Sequence, residues 1–141
     1  MSFLLDTNVV SESMRPRPDP NVVAWLSAVD EEETFLSVIS FAELRRGIEL
    51  LPVGRRRERL AEWIDEDLST RFHGRVLDVD RLVGDSWAGI MSRTERAGRR
   101  LDVMDAFIAA TAESHDLTLV TRNTRDFDAL ELPLFDPWKV G

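Results

Sequence analysis

Short apolar runs with the composition of buried strands alternate along this chain with longer runs whose apolar positions recur every three or four residues. Phe3–Asp6 reads as a buried strand, followed by a helix through about Ser13. Arg15 to Pro20 is a proline-rich break, after which Asn21–Val29 reads as helix with Trp25 on its apolar face. Thr34–Val38 is a second strand rich in β-formers. Ser40–Leu51 is helical by the spacing of Phe41, Leu44, Ile48 and Leu51, and Pro52-Val53-Gly54 ends it.

Arg55 to about Thr70 is a charged amphipathic helix aligning Leu60, Ile64 and Leu68. Val76–Val79 is a third strand, and Asp80–Gly98 a long helix carrying Leu82, Val83, Trp87, Ile90 and Met91. Leu101–His115 is an apolar helix, Leu117–Thr121 a fourth strand, Asn123–Leu130 a short helix, and Leu134-Phe135 a final edge strand. Strands separated by helices predict βαβ units, an α/β fold with a mainly parallel sheet, and helices on both of its faces. No internal repeat or compositional break divides residues 1–141, so one domain is expected. In such folds ligands gather at the carboxyl ends of strands. Asp6 ends the first strand, Thr121-Arg122-Asn123 ends the fourth, and Ser40 and Glu43 follow the second.

Two acids break the apolar pattern. Asp6 terminates Phe3-Leu4-Leu5, and Asp105 sits inside Val103-Met104-Asp105-Ala106-Phe107-Ile108. An ionised carboxylate in apolar surroundings costs several kcal/mol, roughly, unless a cation or donors compensate it. Each acid also has a local reading. Asp6 could cap a helix, although Thr7 or Asn8 would serve as well. Ser40-Phe41-Ala42-Glu43 matches a capping box, with Glu43 bonding back to the cap. Asp102 is the better cap for the helix that carries Asp105, and it lies one turn earlier on the same face, a candidate to support that acid. The stripe of Asp105, Ala109 and Ala112 suggests room beside the acid for an ion and a bulky substrate. Asn123 and Asp126 fit either a cap or a contact through water. Carboxylates gathered at one rim repel one another unless divalent cations neutralise them. All-oxygen ligands suit Mg²⁺ or Mn²⁺, and the matching chemistry is metal-assisted hydrolysis of a phosphodiester.

Composition narrows the classes further. A net charge of −8 argues against a passive, sequence-independent coat on nucleic acid, but not against an enzyme with a cation-filled acidic pocket. Of 18 basic residues only Lys139 is lysine; arginine suits bidentate phosphate recognition, and genomic base composition explains the bias equally well. Cysteine is absent, which removes disulfides, thiolate metal sites and a Cys nucleophile. No run has the length of a membrane span and no signal-type segment opens the chain, so a cytoplasmic protein is expected.

Four segments together resemble a PIN domain, and within that group the VapC-type toxins of bacterial toxin–antitoxin pairs. They are Leu4-Leu5-Asp6-Thr7-Asn8, Ser40-Phe41-Ala42-Glu43-Leu44 with Gly47, Asp102-Val103-Met104-Asp105-Ala106 with Ile108-Ala109-Ala110, and Leu119-Val120-Thr121-Arg122-Asn123 with Asp126-Phe127. Each is weak alone; four in order over nearly the whole chain are specific. The resemblance implies a three-layer α/β/α fold with a mainly parallel sheet of four to five strands. It implies a Mg²⁺-dependent endoribonuclease, with Mn²⁺ able to substitute, cutting structured RNA such as transfer RNA. Asp6, Glu43 and Asp105 become the metal-binding triad. The family's fourth acid often directly follows Thr-Arg, where this chain has Asn123, with Asp126 three residues on. Beside that triad, and apart from the resemblance, Thr7, Ser40, Asp102, Arg122 and Asn123 are candidate supporting or substrate-contacting residues by their positions in the chain. The family also implies a homodimer silenced by a cognate antitoxin held in a groove beside the site, with DNA contacted only through that antitoxin. Helices bearing Trp25, Leu26 and Trp63 are candidates for the groove.

Competing classes lack specific residues. A haloacid-dehalogenase-type phosphotransferase needs a second Asp where Asn8 stands, and a phosphoacceptor receiver needs a lysine at a late strand end. No Gly-x-Ser-x-Gly motif supports serine hydrolysis, and His73 and His115 lack metal-site spacing. The remaining rival is a catalytically weak PIN-like module that binds RNA or protein without cutting.

Overall fold

The computed structural model describes residues 1–139. Five strands, β1 (Phe3–Leu5), β2 (Thr34–Ser37), β3 (Val76–Leu77), β4 (Thr118–Val120) and β5 (Leu134–Phe135), form one sheet in the order β3-β2-β1-β4-β5. Every neighbouring pair is parallel, with Leu4 beside Phe35 and Leu119, and Leu5 beside Val120. A parallel sheet buried on both faces needs apolar residues in both phases of its two-residue period. The strands supply them. Leu4 and Leu119 join one core with Ile90, Ala106, Ala109 and Phe127, whereas Leu5, Leu36 and Val120 join the other with Val9, Val22, Leu68 and Phe72.

The first core is covered by α6 (Arg81–Arg96) and α7 (Val103–Ser114), which pack on each other as a pair. The second is covered by α1 (Thr7–Glu12), α2 (Pro20–Ala28) and the helix that begins as α4 (Arg55–Glu62). α3 (Val38–Glu49) touches both, with Ile39 against the first core and Phe41 and Leu44 against the second. The result is the expected three-layer α/β/α arrangement.

Four local expectations change. α3 begins at Val38, because Ser37 rather than Ser40 caps it: the Ser37 hydroxyl accepts the Ile39 N–H at 3.0 Å. β2 therefore runs into α3 without a loop. The helix from Arg55 contains a π-helical stretch, Trp63–Leu68, before a last turn, α5 (Ser69–Arg71); the Ser69 hydroxyl donates to the Ile64 carbonyl at 2.8 Å. One extra residue per turn there brings Ile64 and Leu68 into the core and leaves the Arg-rich start outside. The segment read as a helix over Asn123–Leu130 is only a 3₁₀ turn, Thr124–Phe127. Its anchor is Phe127, which is fully buried. Finally, Trp25 packs edge-on against Phe3 and beside Phe135, with ring centroids 5.2 and 5.4 Å apart, and does not line the cleft that Leu26 and Trp63 share.

Phe127 holds the β4–β5 connection, and with it the end of β4, onto the first core. Phe127→Ala is expected to cost about 3–5 kcal/mol in urea unfolding, the usual range for a buried aromatic. A loss below about 1 kcal/mol would show that this connection does not depend on the anchor.

Candidate active site

Asp6 stands at the carboxyl end of the central strand and is 4% exposed. Its Oδ1 accepts the Thr7 N–H and its Oδ2 the Thr121 hydroxyl, each at 2.7 Å. Thr121 directly follows the neighbouring β4, and its hydroxyl accepts the Asn123 N–H at 3.1 Å. Parallel pairing of β1 and β4 is what places these two residues side by side. Asp6 is thus the N-cap that its local sequence allowed, and its second oxygen is held as well.

Thr7 ties a second acid to the first. Its hydroxyl donates to Glu43 Oε1 at 2.7 Å and stands 2.9 Å from the Ser40 hydroxyl. With α3 beginning at Val38, Glu43 lies in the helix's second turn, beyond reach of a capping box. Ser40 is fully buried inside α3 and supports Thr7 instead of capping.

Asp105 lies in the first turn of α7. Asp102 is that helix's N-cap, its Oδ2 accepting the N–H groups of Met104 and Asp105 at 3.1 and 3.3 Å. The Asp105 carboxylate is half-buried, and among the described residues it has no hydrogen-bond donor or ion-pair partner. Ala109 and Ala112 are fully buried core residues, so the small-residue stripe lets α7 approach the sheet closely rather than leaving open space.

Burial and neighbouring charges shift two of these groups. Asp105 is pushed up to about 7, first by burial and then by the charges of Asp6, Asp102, Glu43 and Asp126. Asp6 is held above the usual carboxylate range by burial, which outweighs the hydrogen bonds from Thr121 and Thr7, and Glu43 and Asp126 push it the same way. Asp126, exposed on the 3₁₀ turn, is therefore felt by both central acids. The neighbouring Asn123 side chain caps nothing.

Glu12 supplies a contrast. This buried acid, which the sequence pattern did not single out, accepts the Asp19 N–H at 2.8 Å and pairs with Arg15 at 3.4 Å. Seven ion pairs are distributed over the described residues, and none involves Asp6, Glu43, Asp105 or Asp126. The fold compensates an isolated buried acid and leaves the converging ones without a cation. An all-oxygen, uncompensated donor set fits a divalent ion. Among the described residues no three acidic or imidazole side chains are close enough to enclose one as they stand. A hard ion that keeps several waters and takes substrate phosphate as a ligand suits such an open set.

A PIN domain family model matches residues 3–131. The chain belongs to the PIN-domain family. Toxin FitB of Neisseria gonorrhoeae is 42% identical over 136 residues, covering 96% of this chain and 98% of FitB. VapC ribonuclease Y4jK of Sinorhizobium fredii is 37% identical over 137 residues, covering 97% of this chain and 98% of that protein. The solved structure of FitAB bound to the IR36 DNA fragment contains a chain 40% identical to this one, with a TM-score of 0.93; the match covers 99% of this chain and 97% of that one.

In this PIN domain the raised Asp105 carboxyl has a measurable consequence. It takes up a proton at about 7 when folded, against about 3.9 for an unfolded aspartate. Between those values the folded state binds more protons, so its contribution to stability is fully present below about 4 and is lost as pH rises through about 7. Metal-free protein in EDTA should therefore unfold at lower urea at pH 8 than at pH 5, and Asp105→Asn should shrink that difference. An equal pH dependence in both proteins would contradict the assignment.

Proposed function

We propose that this chain is the toxin of a toxin–antitoxin pair, an endoribonuclease that hydrolyses RNA phosphodiester bonds with a divalent cation, Mg²⁺ or Mn²⁺, at Asp6, Glu43 and Asp105. The relatives named toxin and ribonuclease support the activity over nearly the full chain. The observation that carries the site is Thr7 joining Asp6 to Glu43 through its N–H and its hydroxyl, in a set of acids that takes no ion-pair partner among the described residues. Asp126 is the fourth acid in this reading. When bound, a divalent ion supplies activation of water and neutralises charge on the phosphodiester.

The chain's own residues do the positioning. The Thr7 N–H and the Thr121 hydroxyl fix both oxygens of Asp6, so that carboxylate meets its ligand without a rotamer search. The Thr7 hydroxyl holds Glu43 beside it. Asp105 reaches the same region from α7 and gains most from a cation, having no other partner. Hydrolysis then adds water across one P–O bond, leaving a phosphate on one fragment and a hydroxyl on the other.

Structured RNA such as transfer RNA is the substrate class, and the cytoplasm is where the enzyme would meet it. Among the described residues no helix is long and apolar enough to cross a membrane. A cognate antitoxin and a second copy of this chain are the protein partners, with DNA contacted through the antitoxin; the similar FitAB structure is one bound to a DNA fragment. Leu26 and Trp63 line a cleft of about 120 Å³ with Leu5, Val10 and Phe72, rimmed by Glu31 and Arg71. That cleft is the candidate antitoxin groove, with Trp25 excluded from it.

The test is cleavage of total RNA by purified, antitoxin-free protein with Mg²⁺, with Mn²⁺ and with EDTA, beside Asp6→Asn. Expected is metal-dependent cutting that falls at least about 100-fold in the variant, with the variant's melting temperature unchanged or higher because repulsion is relieved. Cutting that survives EDTA or Asp6→Asn would overturn the metal site. Folded protein that cuts nothing would favour a binding module.

A further inference from the structure

The site as described is almost wholly acidic, yet its substrate is a polyanion. A cation on the protein must meet the RNA backbone near Asp6. Most arginines close to carboxylates are already engaged: Arg45 with Asp65, Arg57 with Glu49, Arg71 with Glu31, Arg93 with Glu113 and Arg99 with Asp128. Arg122 is different. It follows Thr121, whose hydroxyl holds Asp6, and consecutive Cα atoms are only about 3.8 Å apart. Its backbone N–H donates to Asn8 Oδ1 at 3.4 Å, so its main chain is fixed against α1. Among the described residues its guanidinium pairs with no carboxylate.

What holds it is aromatic. The guanidinium carbon lies 5.3 Å from the centroid of the Trp138 ring, within cation–π range. Trp138 is itself anchored: it packs against the second core, its N–H donates to Asp136 Oδ1 at 2.9 Å, and its carbonyl accepts the Asn21 side chain at 3.0 Å. A stacked arginine keeps its in-plane N–H groups free, because the ring occupies only a face. The planar fork is thus oriented and still able to bond a phosphate edge-on. The opposite arrangement, an ion pair with Asp126 or Glu43, would have consumed both the charge and the donors.

We propose that Arg122, held by Trp138, is a phosphate-binding residue that takes a backbone phosphate of the RNA beside the scissile one, with Trp138 as its positioning residue. This rests on the ribonuclease reading. It gives the C-terminal segment from Asp136 to Lys139 a role in substrate binding that neither the acids nor the cleft requires.

The experiment measures binding of bulk transfer RNA by fluorescence anisotropy at several salt concentrations, in the Asp6→Asn background so that nothing is cut. Arg122→Ala should weaken binding roughly 5- to 20-fold and lower the slope of log K against log salt by about one. Trp138→Ala should give a smaller loss, and Trp138→Phe should restore most of it, since a ring still faces the guanidinium. In the otherwise wild-type enzyme, both alanine variants should raise KM for RNA cleavage with little change in kcat. Unaltered binding and KM in Arg122→Ala would overturn the assignment, as would a Trp138→Ala defect confined to melting temperature. Wild-type protein that neither binds nor cuts RNA would overturn the ribonuclease reading, and this assignment with it.

Discussion

Mutual repulsion among carboxylates at the carboxyl end of one parallel sheet is the constraint around which this protein is arranged. Asp6 is buried at the end of β1, Glu43 comes from the second turn of α3, Asp105 from the first turn of α7, and Asp126 from the turn after β4. No two of them share an element. Only the crossover topology brings them together, and it does so where the strand ends of such sheets habitually present ligands. Folding this chain therefore concentrates negative charge that the fold does not itself neutralise.

Threonine residues manage that charge. Thr7 gives its N–H to Asp6 and its hydroxyl to Glu43, and Thr121 gives its hydroxyl to Asp6 from the adjacent strand. Hydrogen bonds from neutral donors orient carboxylates without cancelling their charge, which an arginine would do. Arg122, one residue after Thr121, stacks on Trp138 and likewise pairs with no carboxylate among the described residues. Elsewhere the chain pairs its charges freely, as Arg15 and Glu12 demonstrate.

Much of this was legible in the sequence. The strand and helix order followed from apolar spacing, and an acid ending Phe3-Leu4-Leu5 or interrupting the α7 run stood out because nothing local explained it. What failed were features set by contacts distant in sequence. Ser40 looked like a cap because Ser-x-x-Glu is a local pattern, but β2 runs directly into α3 and Ser37 caps first. The π-helical stretch at Trp63 has no residue signature, being the register that seats Ile64 and Leu68 in the core. The short turn after Asn123 is ended by Phe127 plunging into the first core, a tertiary effect. Trp138 was unremarkable in sequence, since its partner Arg122 lies across the fold.

Whether the uncompensated carboxylates form a cation site is decided by calorimetric titration with Mn²⁺ in two buffers of different ionisation enthalpy. Near pH 7 saturable binding with net proton release is expected, because burial and neighbouring carboxylates leave Asp105 partly protonated there until a cation displaces the proton. Release should fade by pH 9, where that carboxyl is already ionised. Saturable binding with no proton release at pH 7, or no binding at millimolar Mn²⁺, would contradict a cation site there.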